Sequence, residues 1–216
     1  MKQRPIFISF TGADSDLHLS AMQALSSVYP IEWGILLDES QAGAALFPCE
    51  STLAKIKAAP GLRLAAHVCG EQASRIANAP KEASVCLAGF QRLQVNHGFS
   101  GSDAVQVENS VRFGRSRGLR TMLQTVDEFP ADDRLDWLYD VSFGTGKSPG
   151  RWPAIPPSPP LCGYSGGINP ENVMDVLESI AAPEGAQYWI DMESGIRTEG
   201  AFDISKCERI CRAVYR

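Results

Sequence analysis

Eight short strand-like runs, most of them followed by a helical pattern, constrain this chain more than any other feature of its sequence. The runs are 5–10 (PIFISF), 31–38 (IEWGILLD), 62–68 (LRLAAHV), 90–96 (FQRLQVN), 119–126 (LRTMLQTV), 135–143 (LDWLYDVSF), 161–166 (LCGYSG) and 187–193 (QYWIDME). Several are near-continuous apolar stretches, as strands buried on both faces require. Helical patterns alternate with them at 14–29, 49–59, 70–79, 102–117, 170–181 and 203–216, the first with Asp14 or Ser15 as its N-cap. Repeated strand–helix units imply a parallel sheet. Eight units in 216 residues fit a single (β/α)8 barrel domain spanning 1–216. A doubly wound sheet would open on a glycine fingerprint after its first strand, and SFTGADSD has one glycine there.

The fifth and sixth helices are degraded. DEFPADDR, after the fifth strand, is too short for a helix. After the sixth strand, GTGKSPGRWPAIPPSPP (144–160) carries Pro149, Pro153, Pro156, Pro157, Pro159 and Pro160. Proline lacks the amide donor and clashes with the preceding turn, so this density forbids a long helix. The segment reads as a long loop over the barrel mouth, with room for one helical turn.

Net charge is −5 and no basic stripe is visible, which argues against nucleic acid as a partner. No apolar run reaches the ~20 residues of a membrane span, and MKQRPIFISF lacks a signal peptide's apolar region and cleavage site. The expectation is a cytoplasmic protein. The six cysteines form no CxxC pair and read as free thiols rather than as metal ligands.

In a barrel of this kind the loops after the strand C-termini form the active site. After the seventh strand come Gly166 and Gly167, and after the eighth Ser194 and Gly195. Bare backbone amides in these two loops favour an anion such as a phosphate.

Four stretches in order, LQVNHG (93–98), WLYDVSFGTGK (137–147), SGGINPENV (165–173) and IDMESGI (190–196), resemble the phosphoribosylanthranilate isomerase family. The resemblance spans the chain and is strongest from about residue 90 onward. It implies an Amadori-type aldose–ketose isomerisation in tryptophan biosynthesis, on a phosphorylated sugar and without a cofactor or metal. Asp140 matches the family's general acid. Gly144, Thr145 and Gly146 match the flexible loop beside it. Lys147 is either a solvated cation or a contact to substrate phosphate or carboxylate. Asp191 matches the strand-eight aspartate, which orients loops.

The chain also departs from the family. Ser9 stands at the position of the catalytic cysteine, with Phe7 for the family's lysine and Phe10 for its glycine. A serine hydroxyl works as a base only if a neighbour takes its proton, and His97, at the end of the fourth strand, is the candidate. His18 and His67 read as structural. DESQAGAALFPCES (38–51) lacks the arginine that grips the anthranilate carboxylate, and Phe202 replaces a lysine beside Gly200 and Asp203. These losses point to a substrate other than phosphoribosylanthranilate, or to a catalytically silent sugar-phosphate-binding barrel acting as a sensor or partner protein. A Schiff-base lyase using Lys147 is a third reading. Both a monomer and a homodimer are compatible with the sequence.

Overall fold

The computed structural model describes residues 3–98, 101–142, 144–157 and 160–216. Eight parallel strands close into a barrel in sequential order. They are β1 (Phe7–Thr11), β2 (Ile31–Leu37), β3 (Leu64–Val68), β4 (Arg92–Val95), β5 (Arg120–Thr125), β6 (Asp136–Tyr139), β7 (Cys162–Ser165) and β8 (Tyr188–Met192). The closure pairs β1 with β8 and sets Phe7 opposite Trp189 and Ser9 opposite Asp191.

Side-chain alternation divides the core into an inside and an outside. Phe7, Ala65, Met122, Leu138 and Trp189 form one buried cluster within the barrel. Ile8, Phe10, Trp33 and Ile35 belong to a larger cluster shared with the helices. Gly163 leaves room for the interior: a Cβ there would lie 2.1 Å from the Trp189 ring.

Among the described residues six helices wrap the sheet: α1 (Leu19–Ser26), α2 (Glu50–Ala58), α3 (Gly70–Asn78), α4 (Ala104–Arg115), α5 (Val173–Ile180) and α6 (Ile204–Tyr215). The chain enters α1 through a short 3-10 turn (Asp16–His18) in which Ser15 accepts from the Leu17 amide. Asp103 and Gln106 close a reciprocal capping box on α4. Asp203 caps α6. A two-residue hairpin, β9 (Arg197–Thr198) with β10 (Ala201–Phe202), was not expected from the sequence. Phe202, at the family's lysine position, is buried against Trp33 and His18.

No helix follows β5 or β6 among the described residues, as the prolines require, and the expected single turn of helix is not found there either. Aromatic side chains take the helices' place. Tyr164 packs edge-on against Phe129, Trp152 and Tyr188. Its buried hydroxyl donates to the Pro153 carbonyl at 2.7 Å. Tyr139 donates to the Arg151 carbonyl at 3.2 Å and meets Trp152 edge-on. The sixth strand stops at Tyr139, short of the expected residue 143, because Asp140 already turns back on Ser142. Phe143 and Pro159 lie outside the described residues.

The floor of the barrel is ionic. Arg92, 4% exposed, pairs with Glu32 at 2.7 Å and Asp136 at 3.0 Å. Arg63 reaches Glu32 and Arg120 reaches Asp136 from the half-exposed rim. The Arg92 guanidinium also lies 4.4 Å from the Trp189 ring centroid.

Among the described residues no helix is long and apolar enough to cross a membrane. All six cysteines are free.

Candidate functional site

A cavity of about 550 Å3 opens at the C-terminal end of the barrel. Of the residues singled out in the sequence, His97, Asp140, Gly144, Gly166, Gly167, Asp191 and Ser194 line it. Ser9, Thr145, Gly146, Lys147 and Gly195 are not among its lining residues.

The acidic groups come from β6 and β8. Asp140, 5% exposed, is held by its neighbours. Its Oδ1 accepts from the Ser142 amide at 2.8 Å and hydroxyl at 2.7 Å, and its Oδ2 from Gln124 Nε2 at 3.2 Å. Asp191 Oδ1 accepts from the Thr11 hydroxyl at 2.8 Å, and Oδ2 accepts from Ser165 at 3.4 Å. Burial pushes the Asp191 carboxyl up to about 6, against the pull of the Thr11 and Ser9 hydroxyls. Two residues on, Glu193 also lines the cavity. Burial, and then the charges of Asp191 and Asp140, push it up to about 7, while Arg197 pulls it back. Arg197 is tied to the Gly12 carbonyl at 2.9 Å and to Asp14 at 2.6 Å.

Ser9 is 1% exposed, and among the described residues its hydroxyl oxygen has no hydrogen-bond partner. It lies one layer below the mouth, beside Asp191, and lowers that pKa without a hydrogen bond of ordinary geometry. The rim position on β1 belongs to Thr11, two residues further along the same face of the strand. His97 pairs with Ser102 at 2.7 Å rather than with Ser9, and burial holds its pKa below the usual value.

The glycines knit the last three loops together. A Cβ at Gly195 would lie 1.9 Å from the Ile168 carbonyl oxygen, and one at Gly146 2.5 Å from Ser194 Oγ. A Cβ at Gly167, whose φ is +65°, would lie 2.9 Å from the Gly146 carbonyl oxygen and the Ser148 amide nitrogen. The β6 loop therefore rests on the wall formed by Gly166, Gly167 and Ser194. Thr145 donates from its amide and hydroxyl to the Ser142 carbonyl and shapes that loop. Lys147 is exposed at its crest.

Sequence reasoning missed Glu193, Thr11, Gln94 and the cavity role of His67. The signal was available in the alternation of strands: Asp191 and Glu193, like Ser9 and Thr11, are two apart and share a face. His67 is buried on β3 and lines the cavity, and burial, assisted by the charge of Arg92, holds its imidazole down to about 3. Among the described residues no group of three or more His, Cys, Asp or Glu side chains is placed to hold a metal ion.

No family model matches the chain, and no curated protein matches it in sequence. Solved structures do match its fold. N-(5'-phosphoribosyl)anthranilate isomerase from Pyrococcus furiosus is similar with a TM-score of 0.59 at 16% identity, over 97% of this chain and 98% of that one. Phosphoribosyl anthranilate isomerase from Thermococcus kodakaraensis is similar with a TM-score of 0.55 at 16% identity, again over 97% and 98%. Orotidine 5'-monophosphate decarboxylase from Methanocaldococcus jannaschii, complexed with the inhibitor BMP, gives 0.53 at 10% identity over 99% and 100%. At these identities the likeness is one of fold. The chain is a (β/α)8, or TIM, barrel with six of the eight helices among its described residues.

Proposed function

We propose that this barrel binds a phosphorylated sugar at its mouth and isomerises it by proton transfer, in the manner of an aldose–ketose or Amadori-type isomerase. One observation carries the reading: carboxyl groups at the C-terminal ends of β6 and β8 converge on the cavity whose adjoining wall is the Gly166, Gly167 and Ser194 backbone. Backbone amides at glycines suit a phosphate. Carboxyls held in different environments suit an acid and a base.

In this reading Asp140 donates a proton to the sugar ring oxygen and the ring opens. Glu193 removes the C2 proton, because a base with a pKa near the working pH transfers protons most effectively. The C2–H electron pair becomes the C1=C2 bond of an enol or enolamine. Reprotonation at C1 and loss of the O2 proton give the ketose, so no net proton is consumed. Asp191, fixed by Thr11 and Ser165, positions the mouth loops. Ser9 supports Asp191 from below rather than touching substrate.

The test is deuterium wash-in at C2. Ribose 5-phosphate, other aldose phosphates and phosphoribosylanthranilate are each incubated with the protein in D2O and followed by NMR. Exchange in one of them, lost by about 100-fold or more in Asp140→Asn and Glu193→Gln, is the expected result. Exchange that both variants retain refutes the assignment. Phosphate-ester binding without exchange favours the silent sugar-phosphate-binding barrel, the reading that the serine at position 9 supports. The exposed position of Lys147, outside the cavity lining, gives a Schiff-base lyase no support.

A further inference from the structure

The half of the cavity away from the glycine wall has an unusual chemistry. His67 and Gln94 are opposite one another in the β3–β4 register, both are buried, and both line the cavity. Among the described residues His67 Nε2 and Gln94 Oε1 have no hydrogen-bond partner. Gln94 Nε2 is spoken for, donating to Asn96 Oδ1 at 2.6 Å, so the amide orientation leaves an acceptor over. Gly34 makes room beside them: a Cβ there would lie 2.8 Å from His67 Nε2 and 2.2 Å from Thr11 Oγ1. Buried polar atoms left unpaired are costly, and in a binding site they mark where a ligand group completes the bonding.

The charges around these atoms narrow what that group is. Asp38, Asp140, Asp191 and Glu193 line the cavity, and among the described residues its lining includes no lysine or arginine. A carboxylate accepts hydrogen bonds but cannot donate them. It would leave Gln94 Oε1 unpaired and would face four carboxyl groups. A hydroxyl donates to Gln94 Oε1 and, with the same oxygen or its neighbour, pairs with His67 Nε2 in either tautomer.

We propose that His67 and Gln94 form a subsite for the uncharged, hydroxylated end of the ligand, and that the cavity discriminates against a carboxylate at that end. The substrate class is thus an aldose or ketose phosphate whose far end carries neutral hydroxyls, rather than a sugar phosphate bearing an acidic group, and a polyol phosphate is its unreactive analogue. This deepens the function proposed above and rests on it for the placement of the phosphate.

The test uses a matched pair. Ribitol 5-phosphate and ribonate 5-phosphate differ in one terminal group, CH2OH against carboxylate. Calorimetry at pH 7.5, with inorganic phosphate as reference, is expected to show ribitol 5-phosphate binding about tenfold tighter or more. In Gln94→Leu that preference shrinks by severalfold and keeps only the part that repulsion from the four carboxyl groups carries. Equal or tighter binding of ribonate 5-phosphate to the unaltered protein overturns the proposal, and so does an undiminished preference in folded Gln94→Leu. If Gln94→Leu does not fold, the matched pair on the unaltered protein decides. If inorganic phosphate and both esters fail to bind, the phosphate reading alone has failed, and ribitol becomes the probe. Ribitol binding that Gln94→Leu loses sustains the subsite, and no ribitol binding overturns it.

Discussion

Glu193 sits where the chain leaves β8, on the side of the strand that Asp191 shares, and the barrel end holds it partly out of water. Its pKa rises from an ordinary 4.5 to about 7. Between those values the folded chain holds a proton that the unfolded chain has released. Stability therefore falls as pH rises through this window and stays at the lower level above it. A tenfold change in proton affinity corresponds to about 1.4 kcal/mol, so ionising this partly buried carboxyl costs on the order of a few kcal/mol at pH 8. Glutamine cannot ionise. Glu193→Gln is expected to raise unfolding stability by on the order of 1–3 kcal/mol at pH 8 and to change it little at pH 4, by urea melts at the two pH values. A gain of the same size at both would show that ionisation is not its source. Asp191 was legible in the sequence because it stands in IDMESGI, the stretch that matches the strand-eight aspartate of the family the chain resembles. Glu193 was not singled out, since nothing in its own residue type tells a buried glutamate from one in solvent. Ser9 shows the limit of matching by motif. The serine stands at the position of the family's cysteine, but Thr11, two residues on along the same face, is the β1 residue that lines the cavity and bonds Asp191.

The elements were legible where burial on both faces leaves an apolar run, and all eight strands match their expected segments to within two residues at each end apart from the early stop of β6. The proline-rich loop was legible as a region without helix. What fills the missing helix position was not, because the packing partners Phe129, Trp152, Tyr164 and Tyr188 come from four separate segments. Tyr164 is the centre of that patch, and its hydroxyl satisfies the Pro153 carbonyl inside the protein. Tyr164→Phe keeps the ring and leaves that carbonyl unpaired, at a cost of about 1–3 kcal/mol. Limited proteolysis should at the same time become faster in the 144–157 loop, which this bond anchors. Unchanged stability and unchanged cleavage would mean that the rings alone hold the loop.

At the scale of the whole molecule the barrel is closed at the bottom by charge and open at the top over carboxyls. Arg92 is the keystone of the floor: it meets Glu32 and Asp136 at 2.7 Å and 3.0 Å with almost no exposure on any of the three. The flanking Arg63 and Arg120 are 44% and 42% exposed, so water screens their share of the pairing. Removing Arg92 leaves two buried carboxylates with only these weaker partners and takes a cation off the face of Trp189. Arg92→Ala should cost about 3–5 kcal/mol, the usual result of breaking a buried ion pair from one side. The penalty belongs chiefly to the stranded charges rather than to the lost attraction. If so, neutralising them as Glu32→Gln and Asp136→Asn in an Arg92→Met background should restore much of the stability, because methionine fills the volume and nothing charged is left buried. Urea unfolding of the single and triple variants separates the two contributions. A triple variant as unstable as Arg92→Ala would show that the floor depends on the ion pairs' geometry, and the barrel would then need its charges in order to close.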